Sequence, residues 1–204
     1  MTDYLIYVDG SFNKGIQTYG GGYLMLAYEN NRLNVDKSQI GHFHGTDQAF
    51  SVERQIPGEC GATLIAFKHL STIFDLNCDT VELRFDFMGI YKWATLQWQA
   101  KRTTSKAYLK QIRPLMLRTT EPVFSHVNGH AGEPGNEFVD KLAQHAVGLR
   151  KTLPKVDTLF CEPVPYEPEK YISRRQKAKE RKAAKEAAEK AKLENAAKNS
   201  KETL

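Results

Sequence analysis

Cysteine is scarce in this 204-residue chain: Cys60, Cys78 and Cys161 are far apart and odd in number. None belongs to a CxxC pair or has histidines at zinc-site spacing. A disulfide framework is therefore not expected, and free thiols in a reducing compartment are. Long apolar runs are also missing. The first, Tyr4 to Val8, spans five residues, too short for a secretory core and far from the ~20 residues that cross a bilayer. A cytoplasmic protein with no membrane partner is the expectation. A basic surplus is absent from most of the chain. Residues 170–204 hold 12 Lys or Arg against 5 Asp or Glu, whereas residues 1–169 hold 17 against 19, so the formal net charge of +5 belongs to the C-terminal tail.

What is present is an ordinary globular supply of apolar residues, 41% of the chain, enough for one substantial core. Residues 4–9 are β-branched and aromatic and read as a strand. Gly20 to Gly22 lead into Tyr23–Tyr28, a second strand, and Arg32 to Gly45 supplies a third. From Glu59 to Phe74 the apolar residues recur at spacings of three and four, a helix period, with Pro57 and Gly58 marking its start. Residues 80–85 read as a fourth strand, Gly89 to Trp98 and Ala107 to Leu117 as helices, the latter with Pro114 inside it, and Pro122 to Val127 as a fifth strand. A loop from Asn128 to Gly135 precedes a helix to about Leu149. Residues 150–170 carry four prolines and few periodic apolar positions, so they read as a linker. Residues 171–204 are rich in Ala, Lys and Glu, with helix propensity but no apolar stripe. The organisation expected is thus a domain over 1–149, a linker over 150–170 and a basic tail, helical or disordered, over 171–204.

Four acidic residues stand where solvated carboxylates are not expected. Asp9 and Asp86 end apolar strand runs, Glu59 opens a helix, and Asp140 lies one turn into another. Carboxylates gathered from such positions repel one another unless a cation sits among them. Hard oxygen donors of this kind suit Mg²⁺ or Mn²⁺. His42 and His44 alternate with Phe43 and so share a strand face; with no third ligand in view they read as a polar face. His126 reads as a structural histidine.

The order of elements and three motifs resemble the type 1 ribonuclease H family. The motifs are Tyr7-Val-Asp-Gly-Ser-Phe-Asn13, Gly58-Glu-Cys-Gly-Ala62, and the stretch from Val127-Asn-Gly-His130 to Phe138-Val-Asp140. The segment Asp86-Phe-Met-Gly-Ile-Tyr-Lys-Trp93 is similar to the bacterial and caulimovirus-like branch. The resemblance implies a ribonuclease H-like α/β fold: a central five-stranded mixed sheet, three antiparallel strands then two parallel, flanked by helices. It also implies a metal-dependent endonuclease that cuts the RNA strand of RNA/DNA hybrids, leaving 5′-phosphate and 3′-hydroxyl ends. Asp9, Glu59, Asp86 and Asp140 would hold two Mg²⁺, with Mn²⁺ as the alternative, Asp9 serving both, and His130 would assist proton transfer or product release.

By the same resemblance, Glu59, Gln55 and backbone groups near Ser11 and Asn13 would touch the RNA. Arg54 stands where relatives have a threonine that binds a DNA phosphate, and Trp93 where an aromatic packs along the DNA strand. Lys101 and Arg102, with Lys106, read either as a shortened basic protrusion or as a solvated turn. The tail is a candidate for further nucleic-acid or protein contact through phosphate attraction, and a monomer is expected. The same scaffold acting on another nucleic acid, or holding a duplex without cutting it, remains the competing reading.

Overall fold

In the computed structural model, residues 1–76, 79–155, 160 and 162–167 are described. The tail, Cys78 and Cys161 lie outside them. Alternation along β1 (Asp3–Asn13) sends Tyr4, Ile6 and Val8 to one face of the sheet and Leu5 and Tyr7 to the other, and both faces are covered. β1 pairs antiparallel with β2 (Thr18–Glu29), whose outer edge is met by β3 (Arg32–Leu33) at one end and β4 (Gln39–Gly45) at the other. On its second edge β1 pairs parallel with β5 (Thr80–Phe85), and β5 with β6 (Val123–His126). The expected mixed sheet is therefore present, with six strands rather than five. The single strand read over Arg32 to Gly45 is divided by the turn that follows Leu33, where the Lys37 amide donates to Asn34 Oδ1.

A short α1 (Gln48–Ser51) is capped by Asp47. It leads to α2 (Ile56–Ile73), which begins three residues before Glu59 because Pro57 is tolerated in a first turn, where amides have no helical partner. α3 (Gly89–Ala94) is shorter than the expected Gly89 to Trp98: Leu96 takes a left-handed φ of 61° and ends it. α4 (Thr103–Met116) carries Pro114 near its end, and α5 (Pro134–Ala146) closes the domain. α2 and α4 lie over Ile6, Val8, Met25, Leu83 and Phe85, while α5 lies over Tyr7, Leu24 and Leu26.

Gly20, Gly21 and Gly22 fall inside β2 rather than ahead of it. The strand can run through them because both helices rest directly on the backbone there. A Cβ on Gly22 would stand 2.9 Å from the Ala143 amide nitrogen, and one on Gly21 would strike the carbonyl of Gly58. The segment read as a linker is partly docked: Phe160 is buried against Phe138, with ring centroids 5.8 Å apart, and Tyr28 Oη donates to its carbonyl. Among the described residues, no helix is long and apolar enough to cross a membrane.

Candidate active site

The C-terminal ends of the parallel strands β1 and β5 open between the first turns of α2 and the N-terminal half of α5. Asp9 lies on β1 opposite Gly22, and the Gly10 amide donates to its Oδ1 at 2.6 Å. Any side chain at position 10 would collide with the carbonyl of Gln55 and with Glu59, so glycine there lets α2 bring Glu59 to Asp9. Asp86 follows the last residue of β5. Carboxylate oxygens of Asp9, Glu59 and Asp86 lie within 4.8 Å of one another. Asp140, on α5, stands outside that trio but lines the same cleft of about 910 Å³. Gln144, one turn further along α5, donates to Asp140 Oδ1 at 2.9 Å.

The electrostatics of this cluster are unfavourable without a counter-charge. Burial, and then the charges of Asp86 and Asp140, hold the Asp9 carboxyl well above the usual carboxylate range. Glu59 is held up by burial and then by Asp9 and Asp86. Asp86 is raised by burial, against the opposing pull of His130 and His126, and Asp140 is raised by burial against its hydrogen bond from Gln144. Asp9 and Glu59 bring carboxylate oxygens together, and Glu59 Oε2 is buried with no hydrogen-bond partner. An orphaned carboxylate oxygen aimed into a set of converging hard donors fits a divalent cation such as Mg²⁺ or Mn²⁺.

His130 is highly exposed, with a left-handed φ of 53°, and its Nδ1 stands 3.7 Å from Asp140 Oδ2. The loop that carries it presses close, for a Cβ on Gly129 would lie 2.5 Å from Asp86 Oδ2.

A model of the RNase H family matches residues 1–148. The chain belongs to the RNase H family. Its members are ribonuclease H enzymes, divalent-metal-dependent nucleases of RNA/DNA hybrids. Among solved structures, RNase H1 from the halophilic archaeon Halobacterium salinarum NRC-1 is 18% identical with a TM-score of 0.55, over 71% of this chain and 97% of that one. The N-terminal RNase H domain of a Mycobacterium tuberculosis protein, solved as a fusion with maltose-binding protein, is 12% identical with a TM-score of 0.57, over 73% and 96%. The compost-metagenome LC11-RNase H1 is 18% identical with a TM-score of 0.53, over 72% and 100%. At such identities these matches establish the fold alone. No curated protein matches the chain in sequence.

Within this RNase H domain, Ser11, Arg54 and Gln55 line the cleft with the four acids and His130. Arg54 holds a left-handed φ of 59° between α1 and α2. Asn13 does not line it: its side chain ties the end of β1 to the end of α5, donating to the Val147 carbonyl at 2.9 Å, and accepts from the Gly15 amide at 3.0 Å. Trp93 packs edge-on against Phe87 and Trp98, and Phe87, unlike Trp93, reaches the cleft wall. Lys101 and Arg102 are exposed ahead of α4 and are not among the cleft residues. Lys14, Gln17 and Gln144 line the cleft without having been singled out. Only Gln144 carried a signal, its i+4 spacing from Asp140 on a helix.

Proposed function

We propose that this RNase H family member cuts the RNA strand of RNA/DNA hybrids by in-line attack supported by two cations, leaving 5′-phosphate and 3′-hydroxyl ends. The convergence of Asp9, Glu59 and Asp86 within 4.8 Å carries this reading. Asp9 and Asp140 would hold the cation on the side of the attacking water, and Asp9, Glu59 and Asp86 that on the side of the departing oxygen. Such a pair supplies the nucleophile at neutral pH and neutralises charge at both oxygens. Asp9, common to both sets of ligands, would fix one site relative to the other. His130, exposed on a glycine-flanked loop, can exchange a proton with solvent while reaching the cleft edge.

Arg54 and Lys14 offer the cleft positive charge for phosphates, and Ser11 and Gln55 offer neutral donors suited to sugar hydroxyls. Trp93, with Lys101 and Arg102 further along, would lie on the side of the DNA strand, and Asn13 would act through its backbone. Residues 1–149 form the catalytic unit in this reading, and the tail beyond 170 adds phosphate attraction, so that its removal steepens no chemistry but weakens salt-sensitive binding. A cytoplasmic monomer is the accompanying proposal, and the buried free thiol of Cys60 suits a reducing setting.

The test is strand-mapped cleavage of matched RNA/DNA, RNA/RNA and DNA/DNA duplexes with Mg²⁺ or Mn²⁺. Cutting confined to the RNA of the hybrid, with the stated ends, is expected. Equal cutting of another duplex, or binding without cleavage, would overturn the assignment.

A further inference from the structure

A second cluster of charge lies one rung below the acids, on the face of the sheet that α5 covers. Tyr7 and Arg84 are register partners on β1 and β5, each two residues before an acid, Asp9 and Asp86 respectively. Both are almost wholly buried. Arg84 Nη1 donates to Tyr7 Oη at 2.9 Å, and Tyr7 Oη donates to Glu133 Oε1 at 2.9 Å, with Arg84 Nη1 3.6 Å from that same oxygen. The other oxygen of Glu133 accepts the Asn136 amide at 2.6 Å and so caps α5. The Asn136 side chain in turn acts on Asp86, drawing its carboxyl down against the effect of burial. Gly135 rests on the Tyr7 ring, where a Cβ would collide.

The remaining donors of Arg84 are closed from outside. Glu82 pairs with it at 2.8 Å, the Val164 carbonyl accepts at 2.8 Å, and Tyr166 stacks over the guanidinium at 5.4 Å while donating to the His126 carbonyl at 2.7 Å. Thus one buried group on β5 touches β1 and the cap of α5, and so links the elements that carry Asp9 and Asp140 with the one that Asp86 directly follows. A buried charge has to be met on every side, so this constellation tolerates little displacement of α5 against the strands.

We propose that Tyr7, Arg84 and Glu133 are positioning residues that set the distance of Asp140 from Asp9 and Asp86, and that residues 163–166 form the strap that completes them. The inference rests on the cation-binding role proposed above for the acids. Outer partners of this kind act on the ligands without touching the ion.

Wild-type full-length protein, Glu133→Gln, Tyr7→Phe, Arg84→Lys and Tyr166→Ala are compared by calorimetric Mn²⁺ titration, by kcat and KM on a hybrid, and by Tm. Glu133→Gln should weaken Mn²⁺ binding and lower kcat by about tenfold, with KM within about twofold, and Tyr166→Ala should move the same quantities less. Tyr7→Phe removes a single hydroxyl and decides the matter if Glu133→Gln does not fold. A fall in Tm with Mn²⁺ affinity and kcat both within about twofold of wild type would reduce the network to a structural one. Should the wild type leave hybrids uncut, the proposed function fails while the Mn²⁺ titrations still decide the positioning role. Wild type that binds no Mn²⁺ overturns both.

Discussion

On the face of the sheet covered by α2 and α4, the larger apolar set is buried, from Ile6, Val8 and Met25 to Phe67, Leu70 and Ile112, with Glu53, Thr63 and Thr104 buried beside it. The face covered by α5 and Phe160 has a smaller apolar set and places Tyr7, Arg84 and Glu133 among it. Each face delivers acids to the cleft. Glu59 arrives on a helix held by close packing, Gly58 pressed to the backbone of Gly20 and Gly21; Asp140 arrives on a helix that also packs closely, against Gly22, and whose cap Glu133 is in addition linked through Tyr7 to buried Arg84. Apolar packing is strong in sum, whereas a buried charged network adds little net stability and must be met by its partners in direction. The contrast is one of degree: most apolar burial lies on one side of the sheet, and the buried Arg84 network that we propose sets the geometry lies on the other.

Asp9, which meets acids from both faces, should break the comparison altogether. Asp9→Asn is expected to lose turnover by on the order of a thousandfold or more, since the acid common to both proposed cations is gone. Hybrid binding should persist in a mobility-shift assay. An active preparation free of wild type would refute the role.

Damage confined to the apolar face should separate stability from activity. Leu70→Ala removes a fully buried side chain and should cost about 2–5 kcal/mol in chemical denaturation. Per folded molecule, its kcat on a hybrid should stay close to wild type. A large drop in kcat would show that this face also tunes the cleft.

Glu59 allows a subtler test, through pH. Its carboxyl is raised in the folded state by burial and by Asp9 and Asp86, so between the ordinary glutamate range and its own raised value the folded form holds a proton that the unfolded form has released. Without divalent ions, stability from this group is present at low pH and lost as pH rises across that window. Glu59→Gln should therefore stabilise the protein in EDTA at pH 8 by about 1–3 kcal/mol, with the gain shrinking as pH falls. Mg²⁺ should narrow the gap by stabilising the wild type alone. A gain that is independent of pH would sink this account.

The smallest effect is expected outside both layers. Trp98 is 46% exposed and meets Trp93 edge-on, so Trp98→Ala should change stability by less than about 1 kcal/mol. A larger loss in thermal melts would assign the Trp93–Trp98 pair to the core of the apolar face.

Much of this architecture was legible in the sequence, because its signals are local. The apolar run ending at Asp9, the period from Ala62 to Leu70, and the glycine-rich loop ahead of Asp140 each mark an element and leave an acid at its end. That those acids converge follows once the two parallel strands and the starts of two helices meet at one edge. What stayed hidden depends on partners far away in the chain. Arg84 reads as a strand residue and Glu133 as a loop residue, and nothing local shows that Tyr7 lies between them. Phe160 and Tyr166 stand among prolines without a period, so the strap looks like a linker. The early start of α2 was obscured because Pro57 marks either the end of a loop or the first turn of a helix. Asn13 gives its amide to the Val147 carbonyl beyond α5 and accepts from the Gly15 amide in the turn after β1, which spacing alone does not reveal.

The three consecutive glycines of β2 carry a consequence for altering this protein. Since two helices bear on that bare ribbon from opposite sides, the span of the jaws that hold Glu59 and Asp140 is gauged by the thickness of a single peptide strand. One methyl group at Gly21 would pry out one jaw and one at Gly22 the other. That short ribbon is accordingly a dial for resizing the cleft between the proposed cation ligands while every one of those side chains stays in the sequence.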